Sequence, residues 1–397
     1  MSGPRRRASR AQPIIAGVIT AVVGFTSSFA VVLTGLAAMG ASPDEASSGL
    51  LVLSVTMGIG CVLLSWTTRT PVTMAWSTPG AALLAGATIP DGGYADAVGA
   101  FVVAGLLYLL TAAVRPLGDA VRAIPAPLAN AMLAGVLLTL CVAPFRALAD
   151  DPAVIAPVLA TWLVMQRLAR RWAVPAAFAV ALVVIALDGA LGSLDAGMLT
   201  PSLTWTSPTF DPLTMVAIGV PLYLVTMTSQ NIPGVAVLGS FGYQAPLRPA
   251  LGVAGVATVL TAPAGGFSIN LAAISAALAA GPTADEDPRR RWIAGVSTGV
   301  SYLVLGLTAA AITAVAATSS GVITAVAGLA LLGTFASAAT SALAEERSRE
   351  PAALTLVVAA SGLTLAGIGA AFWALVAGGL LMGVMRIASP RDRRHRL

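Results

Sequence analysis

The fold class this sequence predicts is an all-α polytopic membrane protein with about fourteen transmembrane segments, and three observations predict it. Hydrophobic residues make up 57% of the 397 and charged ones only 10%, where a soluble domain carries about 25% charged residues. Apolar runs long enough to cross a hydrocarbon core of roughly 30 Å recur to the C-terminus. The arginines, finally, gather on one side of those runs.

Breaks between the apolar runs place spans near 13–39, 47–65, 71–87, 94–113, 121–142, 152–167, 173–189, 212–238, 248–262, 264–280, 292–316, 320–343, 351–367 and 369–387. The basic N-terminus RRRASR leads into a run that outlasts a signal-peptide core and has no small-residue cleavage site, so it is expected to stay as the first span. With that end in the cytoplasm, Arg69, Arg115, Arg122, Arg167, Arg170, Arg171, Arg248, Arg289, Arg290, Arg291, Arg347 and Arg349 fall inside, with both tails (1–12 and 388–397). Only Arg146 falls outside. This is the asymmetry of the positive-inside rule. The net charge of +5 therefore reports orientation against an anionic leaflet. It predicts a membrane location with both termini cytoplasmic, and the lipid bilayer rather than nucleic acid as partner.

Several chemistries lack their parts. All 22 basic residues are Arg, so a Walker A loop or a Lys Schiff base is excluded. The single histidine, His395, sits in the charged tail, and Cys61 and Cys141 lie in apolar runs without metal or disulfide spacing. No cofactor or metal is expected. A membrane-embedded enzyme would need a nucleophile–base or metal constellation that these residues do not supply.

The third span reads PVTMAWSTPGAALLAG from Pro71 and the tenth PAGGFSINLAAISAAL from Pro263. Each opens on proline, passes through an extended or Gly-rich piece, meets a polar residue and continues as an Ala/Leu helix. Ser77 or Thr78 suits an N-cap, with Pro79 in the first turn, and a half-helix is expected from about residue 78. In the tenth span Ser268 or Asn270 is expected to cap a half-helix running from Leu271 to Ala280. Segments 72–76 and 265–269 are expected to pair as short antiparallel strands, since non-helical backbone survives at membrane depth only when buried in protein or lining a cavity. Both half-helices would then aim free N–H groups and a partial positive charge into one space.

No charged residue falls mid-span. Asp188 and Asp211 lie near outer ends and Asp119 near an inner one, which avoids the roughly 2.5–3.5 kcal/mol of a charge at the bilayer centre. The pocket so predicted is neutral and dipolar, suited to a small carboxylate. Gln230 and Asn231 of the eighth span add amide donors, and Pro233 and Gly234 are expected to interrupt that helix as Pro79 does the third. Thr26, Ser27 and Ser28 of the first span bring hydroxyls, although such residues commonly bond back to their own helix or hold neighbouring helices together. Phe25, Trp76 and Phe267 offer flat apolar walls to an aromatic ring, against the plainer reading of packing.

The segments AWSTPGAALLAG (75–86), TSQNIPGVAVLGSFGY (228–243) and GGFSINLAAISAAL (265–278) resemble the signature stretches of the benzoate membrane transport (BenE-type) family of benzoate/proton symporters. The resemblance covers nearly the whole chain, and NIPG with its flanks is specific. It implies a bacterial inner membrane location and a distant fold similarity to nucleobase/cation symporters and sulfate transporters: a seven-plus-seven inverted repeat divided into a core domain (13–113 and 212–316) and a gate domain (121–189 and 320–387). In that wider group the eighth and tenth spans commonly carry acids at the substrate. Here the matching neighbourhoods hold Gln230 and Ile269–Asn270, which favours a carboxylate that wants donors over a nucleobase that wants acceptors.

The expected partners are thus benzoate or a similar aromatic acid, and protons; a homodimer is compatible. The site set is Phe25, Thr26, Ser27, Ser28, Trp76, Ser77, Thr78, Gly80, Gln230, Asn231, Phe267, Ser268, Asn270 and Leu271. A proton would travel on the substrate's carboxyl group or through Asp119 or Asp188. The competing readings are a same-fold carrier for another organic anion or a nucleobase, and a passive anion channel, which would need a continuous polar stripe along several spans.

Overall fold

The computed structural model describes residues 11–114, 116–117, 124–187, 199–273, 275–318, 320–365 and 368–387. Asp119 and Asp188 lie outside them. The described chain is mostly helical. Each of the fourteen apolar segments coincides with a helix, a helix pair or a strand followed by a helix. Among the described residues, eight helices are individually long and apolar enough to cross a membrane, and nine if the pair Pro288–Gly306 and Ala309–Thr318, bent by 54°, counts as one span.

The first span is α1 (Ala11–Thr26) continued by α2 (Phe29–Ala38), with a turn at Ser27 and Ser28. The hydroxyls cause the interruption: Thr26 donates to the Val22 carbonyl, and Ser27 and Ser28 both donate to that of Gly24. Such back-bonding competes with regular helix. Helix α3 (Pro43–Thr68) opens on a complete capping box: Ser42 accepts from the Glu45 amide, and the Glu45 carboxylate accepts from the Ser42 amide at 2.8 Å. Then come β1 (Met74–Trp76), α4 (Thr78–Ala85), α5 (Tyr94–Ala113), α6 (Ala126–Asp150), α7 (Pro152–Leu168) and α8 (Ala173–Leu187).

Helix α9 (Pro212–Ser240) is capped by Asp211, which accepts from the Thr214 amide at 2.7 Å. That bond holds the Asp211 carboxyl below the usual carboxylate range. Within α9, two stretches, Met215–Gly219 and Met227–Asn231, are π-helical, and each ends two residues before a proline, Pro221 and Pro233. A proline ring clashes with the carbonyl four residues back, and widening the preceding turn relieves the clash. The expected interruption at Pro233 and Gly234 is therefore a widened turn at 227–231, and the helix continues through both residues.

The chain continues through α10 (Leu247–Thr261), β2 (Ile269–Leu271), α11 (Ala276–Ala280), α12 (Trp292–Gly306), α13 (Ala309–Thr318), α14 (Ser320–Leu343), α15 (Arg349–Ala360) and α16 (Ala370–Ile387). The two halves interlock. Helix α3 packs along α12, α5 along α10, α1 along α12, and α6 against α14 and α15. One apolar core runs through these contacts, with Phe25, Phe29, Phe101, Tyr108 and Phe267 among its fully buried side chains. A smaller core joins α7, α8 and α14 through Ile155, Val158, Ala177, Ile185 and Val326.

The antiparallel strand pair forms, in a different register from the expected one. Met74, Ala75 and Trp76 face Leu271, Asn270 and Ile269, and the ladder is extended by Ser77 N–H to Ser268 O at 3.1 Å and Ala272 N–H to Thr73 O at 2.9 Å. Residues 265–269 were expected to be the second strand. Instead, a 3-10 turn at Ala262–Ala264 and Gly265, at φ 93°, use up the chain before Phe267. The expected helix from Leu271 is likewise corrected, because Leu271 is in the strand and helical bonding begins only at Ala276.

Candidate substrate site

The strand pair brings together the start of α4, the π turn of α9, the break in the first span and one face of α5. At α4 the sequence dictates the local structure. Ser77 has extended backbone and its Oγ accepts from the Gly80 amide at 3.0 Å, while Pro79 sits in the first turn. Gly80 is pressed against Leu222 of α9, where a Cβ would lie 2.6 Å from Leu222 Cδ1. The Thr78 amide has no intrahelical acceptor. Its half-buried side chain has no partner among the described residues.

Most of the expected site residues are committed to one another. Ser77 Oγ shares a 2.6 Å hydrogen bond with Thr226 Oγ1. Trp76 donates its indole N–H to Ser28 Oγ at 2.8 Å, and its ring meets the edge of Phe25 at 5.2 Å. Asn231 joins α9 to the strand pair: its Oδ1 accepts the Leu271 amide at 3.0 Å and its Nδ2 points at Met227 Sδ. The Leu271 N–H, expected to be free for a ligand, is therefore taken. Beside it, Gly234 lets α9 approach β2 so closely that a Cβ there would lie 2.9 Å from that of Leu271.

Two corrections concern the tenth span. Neither Ser268 nor Asn270 caps a helix. Ser268 Oγ pairs with Tyr108 OH at 2.8 Å, and Asn270 Nδ2 donates to the Leu271 carbonyl at 2.8 Å. The reason is the strand pairing, which fixes residues 268–272 as extended chain. Phe267 is fully buried against Phe101, with ring centroids 6.0 Å apart. It thus packs in the core.

Several polar groups near the strand pair lack partners among the described residues, the Thr73 and Thr258 hydroxyls among them. The Asn270 Oδ1 is buried and unbonded. Gln230, 8% exposed, has no hydrogen-bond partner for its carboxamide among the described residues. The Gln230 carboxamide is not among the fully enclosed unbonded atoms, so it keeps contact with open space beside the strand pair. No acid or arginine among the described residues belongs to this cluster. Asp96 and Glu45 lie in the first turns of α5 and α3 and bond to Thr209 and Thr206.

Sequence reasoning missed Tyr108, Thr111, Tyr223 and Thr226. They occur as two short repeats, YLLT at 108–111 and YLVT at 223–226. Their three-residue spacing puts each tyrosine and threonine on one helix face. The pairs interlock: Tyr223 OH bonds Thr111 Oγ1 at 2.6 Å, and the rings of Tyr108 and Tyr223 lie 5.4 Å apart. Tyr108 is then free to reach Ser268, and Thr226 to reach Ser77, so the repeats tie both broken spans to α5 and α9. The signal was the recurrence of Y-L-x-T in otherwise apolar spans.

Residues 8–384 match the family described as "BenE: Benzoate membrane transport protein". The chain is 36% identical over 385 residues to the inner membrane protein YdcO of Escherichia coli, covering 96% of this chain and 97% of that one. It is 29% identical over 368 residues to the benzoate membrane transport protein of Acinetobacter baylyi, covering 92% of each. In fold it is similar to the transmembrane domain of the cyanobacterial bicarbonate transporter BicA, at a TM-score of 0.61 and 16% identity, over 93% of this chain and 97% of that one. SLC26A9 is also similar, at a TM-score of 0.57 and 10% identity over 94% of this chain and 65% of that one. With the match running through all but the ends of a helical, multi-span chain, the protein is a membrane transporter and belongs to the BenE benzoate membrane transport family.

Proposed function

We propose that the protein is a secondary active transporter that imports benzoate or a related aromatic carboxylate together with a proton by alternating access. The observation that carries this reading is the Gln230 carboxamide, which has no partner among the described residues and lies one turn along α9 from Thr226, itself bonded to Ser77 at the uncharged start of α4. An anion placed there finds the Thr78 amide, the positive end of the α4 dipole and the Gln230 N–H donors. Trp76 and Phe25, held in place by Ser28, supply an apolar wall. A nucleobase, rich in N–H donors, would need acceptors, and the start of α4 offers donors instead.

The architecture in this reading is fourteen spans in a seven-plus-seven inverted repeat, with both termini cytoplasmic. The interlocked pairing of first-half with second-half helices supports it. The core domain (13–113 and 212–316) carries the site and moves against the gate domain (121–189 and 320–387), with Pro79 and the widened turn before Pro233 and Gly234 as points of flexure. A proton accompanies the substrate on its own carboxyl group or through Asp119 or Asp188. Because the site itself is neutral, an anion moving alone would carry one charge across the membrane potential, about 2.3 kcal/mol per 100 mV; a co-transported proton removes that term.

Uptake of radiolabelled benzoate into proteoliposomes tests the proposal. An inward proton gradient is expected to drive accumulation at clamped zero potential. Flux indifferent to that gradient would end the symport reading, and stronger competition by a nucleobase than by benzoate would replace the substrate class.

A further inference from the structure

A cavity of about 330 Å³ lies away from the central break, lined by Gln12, Ile15 and Ile19 of α1, Leu278, Thr283 and Arg171. Its size falls at the lower end of small-molecule sites, about 300–1,000 Å³. Arg171 follows α7, on the side that the arginine distribution assigns to the cytoplasm. Gln12 is committed to the Thr283 carbonyl. Arg171 is different, because no described carboxylate lies within ion-pairing distance of its guanidinium. Among the described residues, the cavity therefore combines aliphatic walls with a guanidinium that has no carboxylate partner, the complement of a flat apolar body bearing a carboxylate.

Its position relates it to the central site. Residues Gln12, Ile15 and Ile19 form one face of α1, and Thr26 continues that face two turns, roughly 10 Å, beyond Ile19. Two residues further, Ser28 holds the indole of Trp76. A full charge is excluded from the centre but tolerated at an open interfacial cleft, where water still reaches the guanidinium.

We propose that this cleft is a second binding site for the aromatic carboxylate, at the inner end of its pathway, with the ring between Ile15, Ile19 and Leu278 and the carboxylate on Arg171. The proposal rests on the carrier reading above. Here α1 and α11 belong to the core domain and Arg171 to the gate domain, so an anion in the cleft touches both moving parts at the point of release.

Photolabelling with 4-azidobenzoate, followed by peptide mass spectrometry of the protein in phosphatidylcholine nanodiscs, tests this directly. Label displaceable by benzoate is expected on peptides spanning residues 12–19 or 278–283. Arg171→Gln is expected to lower it at least about tenfold, as loss of one charged hydrogen bond implies, and Gln230→Ala to leave it in place. Absence of displaceable label there, or label that survives Arg171→Gln, overturns the proposal. So does label abolished by replacing phosphatidylcholine with phosphatidylglycerol, which would make a lipid headgroup the occupant. Failure of the carrier reading is seen separately, as absence of benzoate uptake by the unaltered protein.

Discussion

The third and tenth spans look alike in sequence, and the difference between them in the structure shows how the pocket is polarised. Both supply one strand to the same antiparallel pair. After it, the third span turns at once into an eight-residue helix with a serine cap and a proline in its first turn. The tenth runs on as extended chain and reaches a five-residue helix only at Ala276, where Ser275 makes no capping bond. The helix dipole and its free amide therefore come from one side only. The other side contributes a strand pinned by Asn231 and side-chain amides. Similar prolines and hydroxyls gave different outcomes because Gly265 and Gly266 add a turn that the third span lacks.

The sharpest way to break this arrangement is at that turn. Gly265 has φ 93°, and a Cβ there would sit 2.7 Å from the Gly49 Cα. Gly265→Ala is expected to destabilise the protein by about 2–4 kcal/mol, adding left-handed strain to a backbone clash. Thermal unfolding in detergent should record it as a large drop in Tm, with little folded carrier recovered. An unchanged Tm would mean that the turn is not what sets the second strand's register.

Next comes the pin. Asn231→Ala leaves the buried Leu271 N–H without an acceptor, and a loss of about 1–3 kcal/mol is expected. Because β2 would also shift relative to β1, benzoate uptake should fall more than the stability loss accounts for. Hydrogen exchange at the Leu271 amide, fast in the variant and slow in the parent, checks the cause.

The two helix starts can then be compared directly. Ser77→Ala removes a cap worth about 0.5–2 kcal/mol and the Thr226 partner with it. Ser275→Ala removes no cap and is expected to lower Tm by clearly less. Equal effects would show that the tenth span is capped after all, and that the pocket is fed by two dipoles.

Among the described residues, eight of the apolar runs were legible as membrane-crossing helices because burial in lipid demands length, and the cap at Ser77 was legible because Ser77, Pro79 and Gly80 are local signals. The capping roles expected of Ser268 and Asn270 were not realised, because a nonlocal strand pairing outcompeted a local cap. The commitment of the Leu271 amide to Asn231, 40 residues earlier, has no local trace either. The Y-L-x-T repeats were visible but meaningless until the fold placed Tyr223 on Thr111.

The smallest expected effect on stability is at Gln230, and this is where structure and function separate most cleanly. Its carboxamide bonds to nothing described and is not fully enclosed, so Gln230→Ala removes no internal hydrogen bond; Tm should change by little. If the amide exists to hold the substrate, benzoate binding should nevertheless weaken by about tenfold or more, the value of a hydrogen bond to a charged acceptor. Gln230→Glu sharpens the point, since it keeps the shape but opposes an anion with a second one, and benzoate uptake should fall further than in the alanine variant. A glutamate variant that instead gains nucleobase uptake would mean that the neutral amide selects the substrate's charge. Loss of stability with intact uptake in Gln230→Ala would make the residue a packing element and remove the observation on which the carboxylate site stands.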